Sequence, residues 1–340
     1  MKLAIIGATG LVGRTVIKVL EEKNLPIDEY IFFASSKSKG KKIKLLNKEY
    51  IVQELVSTSF DEHIDYAIFC AGGNISKTFA PIAVSKGTIV IDNSSFFRMN
   101  ENVPLIVPEI NKTEINNHNG IISNPNCSSI QAVLPLKPLD SKYNIKRIVY
   151  STYQAVSGAG YKGVNDLKNG IENYYLDSNN LGSNKLKYNL QKFPYPIFNN
   201  CIPHIDDFLD NGYTKEEEKM INETKKILKN PNLKITATTV RVPVFNCHSE
   251  SINIEFENDF NLNELKNILS TFPGITLKDD IENISYPTTL DGNNNNQVYV
   301  GRIRRDFSVK SGINLWTVSD NLRKGAATNA VQILECLLYS

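Results

Sequence analysis

The sequence predicts an α/β protein in which a Rossmann-like, doubly wound parallel sheet is joined to an α+β domain with a mixed sheet. Three observations carry the prediction. Short apolar runs alternate with helical patterns through the N-terminal third, the mark of repeated β–α–β units. Longer strands with polar residues at alternate positions dominate the remainder of the chain, which suits a mixed or antiparallel sheet with one covered face. At 340 residues the chain is too long for one ordinary core, so two domains are expected.

Taken in order, Lys2–Ile6 reads as a short buried strand, and Arg14–Asn24 as a helix with Val16, Val19 and Leu20 on its apolar stripe. Tyr30–Ser35, Tyr66–Ala71 and Thr88–Asn93 read as further buried strands. Ser76–Gly87 is a helix closed by Gly87, and Gly120–Asn126 ends the last strand of this domain. A helix opens at Cys127. Ile145–Ser157, Lys234–Phe245, Ser251–Glu257 and Val298–Phe307 are the longer strands, and Lys215–Leu228 is an amphipathic helix between them. Leu322–Leu338 is a last helix whose apolar face (Ala326, Ala330, Ile333, Leu334, Leu337) is expected to return to the first domain. Asp291–Gln297, rich in asparagine, reads as a polar, mobile loop. The expected division is a dinucleotide-binding domain over 1–126, completed by 321–340, and a catalytic and dimerisation domain over 127–320.

Composition narrows the function. Hydrophobic residues make up 41% and charged residues 22%, with a net charge of +2, so nothing points to nucleic acid or an anionic membrane as partner. No apolar run approaches the ~18 residues of a membrane-spanning helix. The first apolar run is also shorter than the ~7 residues of a secretory core. Five cysteines, an odd number with no C-x-x-C pair, argue for a reducing cytoplasm and against a structural metal site.

Two stretches carry chemistry. "GATGLVG" (Gly7–Gly13) lies between a strand and a helix, where glycines let the backbone approach a pyrophosphate. The second strand then ends in "ASSKSKGKK" (Ala34–Lys42), with no acid to bind a ribose hydroxyl. Serine hydroxyls and Lys37 or Lys39 suit a 2′-phosphate, so NADP (NADPH) is the expected cofactor. "SNPNCSSIQA" (Ser123–Ala132) sets Cys127 among turn formers at the start of a helix. Leading amides and the positive dipole end there favour a thiolate and can hold an oxyanion. A thiolate beside a nicotinamide cofactor implies thioester chemistry: a phosphorylating aldehyde dehydrogenase or an acyl-phosphate reductase.

The chain resembles the aspartate-β-semialdehyde dehydrogenases, specifically a bacterial branch typical of Gram-positive organisms. The blocks "GATGLVG", "SSKSKGKK", "AGG", "IDNSSFFRM", "VPEIN", "SNPNCSS", "STYQAVSGAG", "NGYTKEEEKMINETKKIL", "TTVRVPVFNCHSES", "VGRIRRD" and "VSDNLRKGAA" occur in the family's order over almost the whole length. The resemblance implies reduction of L-aspartyl-4-phosphate with NADPH to aspartate 4-semialdehyde and phosphate, toward lysine (through diaminopimelate), threonine, methionine and isoleucine. It implies a homodimer or homotetramer.

The resemblance also implies roles. Cys127 carries the thioester and His248 is the acid/base; of the other histidines, His63 and His118 sit in polar stretches and His204 is the competitor. Asn126, Gln154, Glu216 and Arg241 bind substrate, with Glu216 on its ammonium and Arg241 on its carboxylate. The triple glutamate leaves the register between Glu216 and Glu217 open. Arg98 and Lys219 take the phosphate. Gly7, Thr9, Gly10, Leu11, Val12, Ser35, Ser36, Lys37, Ser38, Ala71, Gly72, Ser157, Gly158 and Asn321 contact the cofactor. Cys70 and Cys247, often not cysteine in relatives, are expected to be inert. The rival readings are an acetylglutamyl-phosphate type reductase, which needs no ammonium partner, and a non-enzymatic NADP-binding sensor, which leaves Cys127, His248 and Arg241 without a role.

Overall fold

A computed structural model describes residues 1–176 and 190–339. The chain divides into two compact units. The first holds residues 1–137, 222–232 and 322–340, and the second holds 138–221 and 233–321.

The first unit contains β1 (Lys2–Ile6), β2 (Glu29–Ala34), β3 (Lys42–Leu45), β4 (Lys48–Ile51), β5 (Gln53–Glu54), β6 (Tyr66–Phe69), β7 (Ile89–Asp92) and β8 (Ile121–Ser123). Six of these form a parallel sheet in the order β5-β2-β1-β6-β7-β8, and β3 and β4 form a separate hairpin. Helices α1 (Leu11–Lys23), α2 (Gly73–Ser85), α3 (Pro108–Asn111) and the start of α4 (Cys127–Tyr143) follow the strands. The sheet is covered on both faces, which is why β1 reads as an unbroken apolar run. Leu3 and Ile5 pack with Val16, Val19 and Leu20 of α1 on one face. Ala4 and Ile6 pack with Phe69, Ala80 and Ala83 on the other.

The second unit is built on β9 (Ile145–Gln154), β10 (Lys234–Arg241), β11 (His248–Phe256), β12 (Ile275–Leu277), β13 (Val298–Arg305) and β14 (Gly312–Ser319), in the order β10-β9-β11-β14-β13-β12. The sheet is mixed: β10 runs parallel to β9, and β11 is antiparallel to both β9 and β14. It is accompanied by α5 (Gly160–Leu176), α6 (Lys215–Leu228, ending in the first unit), α7 (Leu262–Thr271) and α8 (Thr289–Gly292).

The sequence reading missed β14 and ran β9 and β10 three and four residues too far; three further departures bear on the site. β11 begins at His248, not Ser251, because pairing with β14 extends to His248 opposite Ser319. The last helix is two pieces: a π-helical turn, Arg323–Ala327, precedes α9 (Thr328–Leu338), whose Ala330, Ile333 and Leu334 enter the first unit's core. The asparagine-rich segment opens with α8 and is tied down. The Asn294 amide donates to Asp320, and the Asn295 side chain donates to the Tyr299 hydroxyl.

Candidate functional site

In the first unit β1 runs into Gly7, and α1 starts four residues after it at Leu11. Gly7 has φ +84°, and a Cβ there would lie 2.9 Å from the Cys70 backbone. A Cβ on Gly13 would lie 2.3 Å from the Gly7 carbonyl oxygen. Such close approaches admit only glycine and leave bare backbone at a helix N-terminus, which suits a pyrophosphate. Beside this turn is a cavity of about 430 Å³ lined by Gly7, Thr9, Gly10, Ser35 and Ala71, together with Leu55, Ile75 and Phe79. The last three were missed in the sequence, where an apolar residue gives no sign of facing a ligand rather than a core. Leu11 and Val12 make the first turn of α1, and Gly72 (φ +90°) leads into α2.

Ser36 to Ser38 form one 3₁₀ turn, with Ser36 and Lys37 exposed, and the Thr9 hydroxyl donates to the Ser38 hydroxyl at 3.2 Å. A second cavity of about 270 Å³ shares Thr9 and is lined by Arg14, Lys41, Lys42 and Lys44. This positive lining next to the dinucleotide cavity fits the extra phosphate of NADP.

Cys127 is the first residue of α4 and is partly exposed. Asn126 caps the helix: its Oδ1 accepts from the Ser128 amide at 2.9 Å and the Ser129 amide at 3.3 Å. Two of the leading amides expected to face the sulfur are therefore engaged by Asn126, and the helix offers the thiol chiefly its dipole. Gly325, in the π turn, packs on the nucleophile's backbone, and a Cβ there would lie 2.7 Å from the Cys127 Cβ. Arg98 is buried and braced: Nε donates to the Asn124 carbonyl at 2.9 Å, Nη2 to the Asn93 carbonyl at 2.8 Å, and Nη1 to Glu223 at 3.0 Å.

In the second unit, strand pairing sets the remaining candidates in rows on one buried sheet face. Arg241 pairs with Gln154, and His248 pairs with Ser319 at the same end of the sheet. The next row is Thr239, Thr152, Glu250 and Thr317, and beneath it lie Ala237, Tyr150, Ile252 and Leu315. All twelve side chains are buried. A polar end row thus rests on a second polar row, and that on the apolar core.

Of the four histidines only His248 is fully buried; His63 is exposed and bonded to Asp65, His118 accepts from the Gly120 amide, and His204 stacks on Phe208 at 4.3 Å. The Ala155 amide donates to His248 Nδ1 at 3.0 Å, while Nε2 has no hydrogen-bond partner among the described residues. Burial, and then the nearby Arg241 charge, hold the ring well below the ordinary histidine pKa against an opposing backbone contact at Cys247. In the neutral ring this puts the proton on Nε2. Arg241 Nη1 donates to the Ala155 carbonyl at 2.6 Å.

Gly158 borders both groups: a Cβ there would lie 3.0 Å from Arg241 Nη1 and 3.2 Å from His248 Cε1. Gly158→Ala should therefore displace both side chains and lower kcat/KM roughly tenfold or more, measured at unchanged thermal stability. Ser157 and Asn321 bond each other at 3.0 Å, and Asn321 Oδ1 also accepts from the Cys247 amide. Asn321 thereby fixes the residue before His248, which sits at φ +71°. The Cys247 and Cys70 thiols are both pushed upward, by burial first and then by Asp320 and Asp92 respectively, which disfavours their thiolates.

The two glutamates left open in the sequence have different partners. Glu217 is engaged by backbone, accepting from the Thr214 amide at 2.7 Å and the Thr239 amide at 2.9 Å. Glu216 accepts from Gln154 Nε2 at 3.2 Å and from Lys219 at 3.2 Å. Burial opposes the charge on Lys219, but Glu216 and Asp206, the latter at 2.6 Å, outweigh it and raise its pKa.

Glu250 was missed in the sequence, although it shares strand parity with His248 and Ile252 in "HSESI". It is fully buried, and its pKa is raised well above the ordinary value by burial and by the Glu216 charge, against one bond from Thr317. Such a group favours folding below the unfolded-state pKa and costs stability as pH rises, because only the unfolded state then ionises. Glu250→Gln should melt higher than wild type at neutral pH, with the gap shrinking toward pH ~4.5 in a pH series of melting curves.

Two family models match the chain: the semialdehyde dehydrogenase NAD binding domain over residues 2–118, and the semialdehyde dehydrogenase dimerisation domain over 136–324. Aspartate-semialdehyde dehydrogenase of Aquifex aeolicus is 48% identical over 339 residues, covering 99% of this chain and 98% of that one. The Bacillus subtilis enzyme of the same name is 46% identical over 338 residues, covering 99% and 97%. Among solved structures, aspartate semialdehyde dehydrogenase II of Vibrio cholerae complexed with ASA has a TM-score of 0.94 at 42% identity, covering 100% of this chain and 98% of that one. The Candida albicans enzyme with NADP has a TM-score of 0.74 at 25% identity, covering 99% and 98%. No helix among the described residues is long and apolar enough to cross a membrane. The glycine turn with its basic side cavity, the helix-capped thiol and the buried histidine–arginine row fall within matches spanning nearly every residue: the chain belongs to the aspartate-semialdehyde dehydrogenase family, NADP-dependent oxidoreductases of amino-acid biosynthesis.

Proposed function

We propose that the reductive dephosphorylation of L-aspartyl-4-phosphate to aspartate 4-semialdehyde runs on this chain through a thioester at Cys127. The Cys127 thiolate attacks the acyl carbon, the C–S bond forms, and the C–O bond to phosphate breaks. Phosphate departs with the bonding pair and takes up a proton from solvent. Gly7–Val12, Ser35–Ser38, Ala71–Gly72, Ser157, Gly158 and Asn321 would hold NADPH, which would supply hydride for the thioester carbon. The negative charge then appearing on oxygen meets the His248 Nε2–H, and the C–S bond breaks to return the Cys127 thiolate. Asn126 lies beside the nucleophile as a further contact for the substrate carbonyl. Arg241 takes the substrate carboxylate, Glu216 its ammonium, and Gln154 joins the two sides of that pocket.

The single observation that carries this reading is the buried row itself. A histidine whose Nε2 has no partner among the described residues lies beside an arginine across Gly158, at a sheet end where an unused polar group is costly unless a ligand engages it. Lys219 and Arg98 are the proposed phosphate ligands, supported by the secured charge of the first and the braced plane of the second.

A homodimer or homotetramer is the proposed assembly, supported by the dimerisation-domain match and by Tyr153, 39% exposed beside Trp316 on the outer face of the second unit's sheet. Five free cysteines support a reducing cytoplasm as its place of work.

The test is phosphate-dependent NADP reduction, run with aspartate semialdehyde and with N-acetylglutamate semialdehyde. Turnover with the first alone supports the reading. Equal turnover with the second would mean that Glu216 does not meet an ammonium.

A further inference from the structure

We infer that Glu223 is a positioning residue for the nucleophile, holding the peptide before Cys127 in place while balancing the charge of Arg98. The inference rests on the proposed role of Cys127 and adds a residue to which that role assigns nothing. Glu223 lies on α6, within the part of that helix that belongs to the first unit, and its side chain is 1% exposed. Its two oxygens serve different partners. Oε1 accepts from Arg98 Nη1 at 3.0 Å, and Oε2 accepts from the Asn126 amide at 2.6 Å.

Asn126 is the cap of α4, so the amide gripped by Glu223 belongs to the residue whose side chain fixes the next two amides of the helix. Arg98 closes the same knot from the other side, through the carbonyls of Asn93 and Asn124. The loop carrying Arg98 is pinned in turn by Lys226, whose ammonium donates to the carbonyls of Arg98, Asn100 and Val103 at 2.7, 2.7 and 2.8 Å. Glu223 and Lys226 are three residues apart on one helix, so a single turn anchors both the cysteine loop and the arginine loop.

Glu223 thus has two separable effects. Its reach to both partners sets the geometry of the Asn126–Cys127 peptide. Its charge offsets Arg98, which would otherwise stand as an uncompensated cation near the thiol and favour the thiolate. Glutamine keeps the length but not the charge and can satisfy only one of the two donors. Aspartate keeps the charge but not the reach.

The experiment compares wild type, Glu223→Gln, Glu223→Asp and Cys127→Ala as full-length protein. It measures kcat, the melting temperature, and the rate of iodoacetamide modification at Cys127 against pH, with the modified residue mapped by mass spectrometry because four other cysteines are present. Both Glu223 variants should lose roughly 10- to 100-fold in kcat. The apparent pKa of alkylation should fall by roughly half a unit to one unit in Glu223→Gln and stay at the wild-type value in Glu223→Asp. An unchanged alkylation profile in Glu223→Gln with only a lower melting temperature would reduce Glu223 to a structural tie, and kcat within twofold of wild type in both variants would remove the inference. Normal turnover in Cys127→Ala would instead overturn the nucleophile reading, whatever the Glu223 variants do.

Discussion

Replacing Cys127 by alanine is expected to remove phosphate-dependent turnover by a factor of roughly 10³ or more while leaving NADP binding intact. The two readouts separate because the structure separates their residues. The dinucleotide cavity is lined by Gly7, Thr9, Gly10, Ser35 and Ala71, none of which is near Cys127 in sequence. The Asn126 cap of α4 does not use the cysteine side chain, so the helix keeps its start. Alanine also fits the close packing against Gly325, since it adds nothing beyond the existing Cβ. A fluorescence titration with NADPH and a steady-state assay on the same preparation decide the matter. Turnover within tenfold of wild type would show that no covalent intermediate forms at this position.

The second large effect is expected at His248. His248→Ala should lower kcat by roughly 10²–10³, the usual cost of losing a preorganised donor to a developing oxyanion. His248→Gln, which can present an N–H from a similar distance, should recover part of that loss. The reason lies in the Ala155 amide, which occupies Nδ1 and leaves Nε2–H as the ring's donor. A general-base role would need Nε2 unprotonated, and glutamine would then recover nothing.

The same contacts set the pH dependence. With the folded-state pKa depressed by burial and by Arg241, the neutral donor persists below pH ~6.5, so activity should hold on the acid side beyond an ordinary histidine titration. The cost appears in stability. The unfolded chain takes up the proton as pH falls through ~6.5 while the folded ring resists, so the contribution present at higher pH is lost on acidification. His248→Gln should flatten that acid slope in a pH series of melting curves.

Several candidate residues could be named before any coordinates. Cys127 announces itself because a thiol between turn formers and a helix start has few structural uses. The glycine turn does so because its spacing between strand and helix has few other purposes. Glu216 and Glu217 were indistinguishable in a run of three glutamates, since helical periodicity alone cannot say which one faces Gln154 and which caps the helix with Thr214. Asn126 was read as a contact for the carbonyl; that its oxygen also caps α4 through two amides was not read from the sequence. Glu223 and Glu250 gave no signal, because one sits in an ordinary amphipathic helix and the other passes for a polar residue in an alternating strand.

The sequence by itself determined the pairing of a parallel with a mixed sheet, the dinucleotide turn and the cofactor's preference, and singled out Cys127 as the candidate nucleophile, because each depends on local periodicity or on residues adjacent in the chain. Only the tertiary structure decided the rest. It laid Arg241, Gln154 and His248 at one buried sheet end, turned Glu216 toward Gln154 and Glu217 toward backbone amides, and brought Arg98, Asn126 and Glu223 together across 125 residues of chain. Those pairings are set by strand register and by helix packing between distant segments, and neither leaves a trace in the spacing of neighbouring residues.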